Sequence, residues 1–260
     1  SGEYLSEKQW WAIEPHLPKL KSRGRPWRDN RQCLEGILWI LRSGARWQDL
    51  PARYPSPATC WRRLQLWTEQ ERWLSIWRAL LGKLNARQRL DFQEAFIDGS
   101  FAAAKKGRRD RADEARKGSK LMVLADGQGI PVGVTVHSAS PAEVTLVAPT
   151  LKMSRRLLGR LPQRLIADKG YDSDPLRAAL AKRHIQQITP HRCNRRRAPR
   201  QDGRALRRYR RRWKIERTIA WLHQFRRLRV RYERRADIHQ AFLSLGCSII
   251  CFRTLNRAKC

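Results

Sequence analysis

Acidic side chains are scarce in this sequence, so the positions they occupy carry information. The 260 residues hold 23 Asp+Glu against 56 Lys+Arg. Asp98 closes a short apolar run, Glu94-Ala-Phe-Ile-Asp98, and Asp168 closes another, Arg164-Leu-Ile-Ala-Asp168. Each is followed by a turn signal, Gly99-Ser100 in one case and Lys169-Gly170-Tyr171 in the other. A carboxylate at the carboxyl end of a strand opens onto the crevice where α/β sheets bind ligands. Glu216 is the third candidate. Residues 195–235 contain 18 Lys+Arg and 3 acids, and Glu216 is the only acid between Asp202 and Glu233. Two readings of Glu216 stand side by side. It neutralises neighbouring arginines along a helix, or it is a ligand for a hard cation. Mg²⁺ and Mn²⁺ take oxygen ligands, and carboxylates offset their charge. Two such ions about 3.5–4 Å apart hold both the attacking and the leaving oxygen of a phosphodiester. That chemistry needs carboxylates converging from distant parts of the chain, and two strand ends plus one helix would supply them.

The elements that must position these acids are legible in outline. Glu94–Asp98, Leu121–Ala125 and Ile130–Val136 read as strands, the last two joined by Asp126-Gly-Gln-Gly129, a hairpin signal. Residues 144–158 read as a helix, 164–168 as a strand, 175–183 as a helix and 185–189 as a strand. From about Arg204 to Arg229 the pattern is helical again. This is a mixed α/β layout. Residues 103–119 are charged and aperiodic and read as a mobile loop.

Composition changes near residue 88, since nine of the eleven tryptophans precede residue 80. The chain before that point reads as all-helical. Leu34, Ile37, Leu38 and Leu41 recur at helical spacing before Gly44, and Ser56-Pro57 is a helix start. The next helix carries Trp61, Leu64 and Trp67 on one face and Arg62 and Arg63 on another. A helix-turn-helix-like module is expected over residues 1–88, with the α/β part over 89–260.

A net charge of +33 excludes an ordinary enzyme of neutral metabolites, because such a charge repels itself unless a polyanion relieves it. Nucleic acid is the expected partner. No stretch approaches the ~20 apolar residues of a membrane span, and the start of the chain lacks a signal peptide's apolar core. The six cysteines form no CxxC pair, and Cys247 and Cys251 fit core packing. A reduced, cytoplasmic, nucleoid-associated protein is expected.

Several segments together resemble a known family. They are Phe96-Ile-Asp98-Gly-Ser-Phe, Gly118-Ser-Lys-Leu-Met-Val-Leu-Ala-Asp-Gly-Gln-Gly-Ile-Pro, Ser138-Ala-Ser-Pro-Ala-Glu-Val, Ile166-Ala-Asp168-Lys-Gly-Tyr-Asp-Ser and Arg208-Tyr-Arg-Arg-Arg-Trp-Lys-Ile-Glu216-Arg-Thr-Ile-Ala-Trp-Leu. In this order they resemble bacterial insertion-sequence transposases of the DDE type, in the insertion sequence 5 group of the insertion sequence 4 superfamily. The resemblance implies a ribonuclease-H-like mixed-sheet core preceded by the helical domain. It implies two Mg²⁺ or Mn²⁺ ions held by Asp98, Asp168 and Glu216, and cleavage at transposon ends followed by transfer of the freed 3′-hydroxyl strand to target DNA. Tyr209, Arg212 and Glu216 fall on the family's signature, whereas His223 stands where a lysine is usual. Only 47 residues separate Asp168 from Glu216, which leaves no room for a large inserted β-domain. Glu143 and Asp172 lie near the motifs, as supporting groups or as plain surface acids. Expected DNA contacts are Tyr209, Arg210, Arg211, Arg212, Lys214, Arg217, His223 and Lys120. In the helical domain Arg62 and Arg63 are candidates for reading the terminal inverted repeats. The family implies a homodimer on double-stranded DNA.

Overall fold

The computed structural model describes residues 5–19, 27–104, 118–193, 198 and 203–256. The chain forms two compact units, one of residues 1–80 with 222–260 and the other of residues 81–221.

The first unit is helical. α1 (Glu7–Ile13) starts with a capping box in which Ser6 and Gln9 exchange side-chain and backbone hydrogen bonds. α2 (Asn30–Ser43) is capped by the Asp29 carboxylate and ends at Gly44, whose φ of 68° is open to glycine at little cost. Its apolar stripe, Leu34, Ile37, Leu38 and Leu41, is buried as its spacing predicts. Ser56 caps α3 (Pro57–Glu69), with Pro57 in the first turn. α4 (Arg72–Ala86) follows.

The second unit is built on a sheet. Its strands are β1 (Glu94–Ala104), β2 (Gly118–Asp126), β3 (Pro131–Ser138), β4 (Arg164–Ile166) and β5 (Gln186–Ile188). Their order is β3-β2-β1-β4-β5. β1 runs antiparallel to β2 and parallel to β4, and β4 runs parallel to β5, so the sheet is mixed. α5 (Glu143–Leu158) packs on β2 and β3, and α6 (Asp174–Ala181) on β5. α7 (Gly203–Leu206), a 3₁₀ stretch over Arg207–Arg212, and α8 (Trp213–His223) follow. The chain ends in α9 (Arg226–Arg229) and α10 (Ala236–Asn256).

Three expectations change. The division at 88/89 would place the C-terminal helices with the sheet, but α9 and α10 group with the first unit instead. The reason is apolar packing: Leu245 and Phe252 of α10 line the same small cavity as Ile13, Leu34 and Leu38. α10 is also long and apolar enough to cross a membrane by length and composition, against the expectation that no stretch approaches this. However, 78% of its apolar window is buried in the fold, as in a core helix. Finally, β1 does not stop at Asp98. Gly99 and Ser100 are strand residues paired with Met122 and Leu121. The loop expected over 103–119 lies mostly outside the described residues, although its ends belong to β1 and β2.

Candidate active site

The strand register brings the first two acids together. Parallel pairing of β1 with β4 ends at Phe96 opposite Ile166. Asp98 and Asp168 each lie two residues beyond that last pair, at the carboxyl end of the parallel ladder where crevices open. The Asp98 carboxylate accepts from the Gly99 N–H at 2.9 Å. Asp168 accepts from the Gly170 N–H at 2.7 Å and so caps the 3₁₀ turn Lys169–Tyr171.

Glu216 arrives on α8. This helix is tied to the β2–β3 turn by three side chains. Lys214 donates to the Gly127 carbonyl, Arg217 to Gln128 O at 2.8 Å and Thr218 to Gly129 O at 2.6 Å. The turn is itself knotted by a buried carboxylate. Asp126 accepts from the backbone N–H groups of Asp91 (2.8 Å), Gln128 (3.0 Å) and Ile130 (2.8 Å). Burial pushes the Asp126 carboxyl up to about 7, against the pull of these three donors.

One guanidinium reaches all three acids. Arg212 Nη2 lies 2.8 Å from Asp98 Oδ2 and 3.4 Å from Glu216 Oε1, and Nη1 lies 3.9 Å from Asp168 Oδ2. Asp98 and Glu216 thus share one nitrogen. Among the described residues no three His, Cys, Asp or Glu side chains are spaced to hold a metal ion directly, the Arg212 guanidinium sitting among these three acids. Burial raises the Asp98 carboxyl above its ordinary pKa; Arg212 opposes this, while the charges of Asp168 and Glu143 add to it.

Further residues complete the surroundings. Tyr171 is 1% exposed and donates its hydroxyl to Glu143 Oε2 at 2.7 Å. Burial and the nearby carboxylates push the Tyr171 phenol far up, so it remains a protonated donor. Asp172 is buried against Arg177 (3.0 Å) and His191 (3.4 Å), so it braces its loop. Glu94, at the foot of β1, is 3% exposed and takes Arg211 at 2.6 Å and Arg208 at 3.7 Å. Proximity in sequence to the motifs was the only signal for Glu143 and Asp172. Nothing in the sequence marked Glu94 or Asp126 as a partner of this region.

The residues expected to grip DNA divide into distinct groups. Arg62, Arg210 and Arg211 are exposed. Arg212 faces the acids, with the Tyr209 ring 6.0 Å from its guanidinium. Lys214 and Arg217 hold the β2–β3 turn, and Arg217 also lies over Trp213 (4.8 Å) and Trp221 (4.6 Å). Lys120 donates to the Pro141 carbonyl at 2.6 Å. His223 is half-buried, and burial, then the Arg229 charge, lower its pKa, favouring the neutral ring. Arg63 turns inward. It is 6% exposed, donates to Asn30 Oδ1 at 2.9 Å and stacks 4.0 Å over Trp27. Its fork is used inside the helical unit, unlike that of Arg62.

Comparison with known proteins places the chain among transposases. The family described as Transposase DDE domain matches residues 90–251, and the IS4/5 family of transposases matches residues 5–77. The chain is 43% identical over 152 residues to a protein assigned as the transposase for insertion sequence element IS402 of Burkholderia cepacia. That match covers 56% of this chain and 68% of the relative. A second IS402 protein of the same organism, uncharacterized and of 16.2 kDa, is 42% identical over 107 residues, 38% of this chain and 73% of its own length. In fold, the chain resembles the piggyBac transposase of a synaptic complex with hairpin DNA. The TM-score is 0.53 at 11% identity, covering 94% of this chain and 71% of that one. The fold is therefore ribonuclease-H-like, the N-terminal residues 5–77 match the IS4/5 transposases, and the chain belongs to the DDE transposase family.

Proposed function

We propose that this transposase binds the terminal inverted repeats of its element, cleaves at the ends and joins the 3′-hydroxyl strand to target DNA, using two Mg²⁺ or Mn²⁺ ions held by Asp98, Asp168 and Glu216. The observation that carries the reading is the convergence of three carboxylates from β1, the β4 end and α8 on one cation, Arg212. The donor set fits hard divalent ions: all its atoms are carboxylate oxygens, already gathered around a positive charge. When bound, such ions stabilise the charge that develops on the attacking and leaving oxygens. Asp98, half-buried and closest to Arg212, would hold such ions together with Asp168 and Glu216. Arg212 occupies the place of a cation among these acids, so a metal ion would compete with it for them.

Binding of double-stranded DNA is supported by charge and shape. Arg204, Arg207, Arg208 and Arg211 recur at helical spacing and line one cavity of about 340 Å³. Like charges at this spacing weaken a helix, and phosphates relieve that cost. These side chains, with Arg210, position the backbone and do not read bases. Reading of the repeats falls to the N-terminal helices, with Arg62 on α3 as contact, and both ends are held by a homodimer. Such a protein works on the bacterial nucleoid in the cytoplasm.

Labelled end DNA, Mg²⁺ and a target plasmid test the reading together. Joined products are the expected result. Cleavage without joining points to a plain nuclease, and binding without cleavage to a catalytically silent DNA-binding protein.

A further inference from the structure

Glu143 has no part in the metal-binding set, yet it touches both segments that carry the aspartates, mid-β1 and the turn after β4. Its carboxylate lies against Gly99, the residue after Asp98. A Cβ at position 99 would fall 2.5 Å from Glu143 Cδ and Oε1. Its other oxygen, Oε2, accepts from the Tyr171 hydroxyl at 2.7 Å. Tyr171 closes the 3₁₀ turn that Asp168 caps, and Gln187 of β5 holds its carbonyl at 2.6 Å. Glu143 itself is the first residue of α5, where the helix dipole favours a negative charge.

From this geometry we infer that Glu143 is a positioning residue. Seated on Gly99 and clamped by Tyr171, it sets the separation of Asp98 and Asp168 and adds negative potential to the pocket between them. The inference rests on the metal-binding reading above. Two features make it more than packing. Gly99 lies in mid-strand, where glycine is normally a weakness. Its missing side chain is the space that the Glu143 carboxylate occupies. And Tyr171, nearly inaccessible to solvent, directs its hydroxyl donor to this carboxylate.

Gly99→Ala is the sharpest variant. The atoms it meets are the far end of a flexible side chain, so the fold tolerates it while the carboxylate is pushed away. Tyr171→Phe removes the clamp, Glu143→Ala removes the carboxylate, and Glu143→Gln keeps an acceptor for Tyr171 without the charge. The full-length protein is titrated with Mn²⁺ by calorimetry in the absence of DNA. Amide hydrogen exchange is followed at residues 98–100 and 168–172 without metal. Outer partners of metal ligands typically change affinity 10–100-fold. About a tenfold weaker Mn²⁺ affinity is therefore expected for Gly99→Ala, Tyr171→Phe and Glu143→Ala, with Glu143→Gln in between. Faster exchange is expected in both segments, with the salt dependence of DNA binding unchanged. Wild-type affinity in Gly99→Ala and Glu143→Ala overturns the inference, as does exchange that quickens in neither segment. If the wild-type protein binds no Mn²⁺, the metal reading fails on its own, and the exchange data alone decide whether Glu143 braces the two segments.

Discussion

Each compact unit contains an arginine held by acidic side chains, one acid in the first and three in the second, and the two sets are built oppositely. In the helical unit Arg227 donates to Glu233 at 2.6 Å, with side chains only 5% and 1% exposed. Arg227 also donates to the Ala45 carbonyl at 2.7 Å, just past the glycine that ends α2, and His239 stands 3.6 Å from Glu233. The cation and the carboxylate balance each other, and both are buried. In the sheet unit Arg212 faces three acids whose side chains range from 17% exposed at Asp98 to 59% at Glu216. One guanidinium against three carboxylates leaves an excess of negative charge beside solvent. A sealed, balanced pair holds two segments in place, since separating it strands a buried ion. An open, unbalanced set leaves room for another cation, as the proposed metal-binding role requires. On the proposed function, the same residue types serve architecture in one unit and chemistry in the other, and burial and charge ratio tell them apart.

The largest effect expected from breaking this contrast is at the open set. Asp98→Asn, Asp168→Asn and Glu216→Gln should each lower DNA cleavage about a thousandfold or more. A metal contributes several kcal/mol of transition-state stabilisation, and each ~1.4 kcal/mol is a factor of ten. DNA affinity and thermal stability should stay near wild type. Retained cleavage in any one of the three removes that residue from the set. At the sealed pair, Glu233→Ala should cost about 3–5 kcal/mol of stability in denaturant unfolding. Replacing both Arg227 and Glu233 by methionine should cost much less. If Glu233→Ala unfolds like wild type, the pair is not the structural lock described above.

Arg212→Gln sharpens the comparison, because it removes the cation and leaves the acids. An opposite charge at this range shifts a carboxylate by about 1–3 pKa units. Mn²⁺ binding without DNA should therefore tighten by about tenfold, while DNA cleavage falls. Looser Mn²⁺ binding would mean that Arg212 organises the acids and does not compete for them. Acid titration separates the units again. Burial works to raise the Glu233 carboxyl, but His239 and Arg227 together hold it below its ordinary value. A carboxyl lowered in this way contributes stability in full above the unfolded pKa of ~4.3. That contribution is lost as pH falls through the folded value. Stability should drop below about pH 4, and Glu233→Gln should flatten that acid limb in unfolding monitored against pH.

How far all this was legible follows from what sequence encodes locally. Asp98, Asp168 and Glu216 stood out because acids are rare here and two of them end apolar runs. The apolar stripe of α2 and the β2–β3 hairpin were likewise readable, being local patterns with a fixed period or turn chemistry. Partners were not. Gly99-Ser100 reads as a turn because glycine punctuates elements, whereas here glycine makes room for Glu143, a contact 44 positions away in sequence. The grouping of α10 with the N-terminal helices was hidden for a related reason, since an apolar helix does not announce which apolar face it meets. Asp126 looked like a turn residue, and its role as acceptor of three backbone donors that shape the anchor of α8 belongs to the tertiary fold.

Arg62 and Arg63 compress the contrast between the units into two adjacent positions, and they give the smallest effect. Successive residues on a helix point about 100° apart, so one turns outward and the other toward Trp27 and Asn30. Arg62→Ala should leave stability unchanged and weaken DNA binding by less than about 1 kcal/mol at moderate salt. Its signature is a fall of about one in the slope of log affinity against log salt, the value for one lost phosphate contact. A loss confined to cognate ends, with the slope on random DNA intact, would instead make Arg62 a base reader. Arg63→Ala should behave like the Glu233 variant in kind, losing about 1–3 kcal/mol of stability because Asn30 is left without its buried donor. Folded Arg63→Ala protein should keep the wild-type salt slope. If Arg63→Ala changes the slope and Arg62→Ala does not, burial is the wrong guide to which arginines on α3 meet DNA.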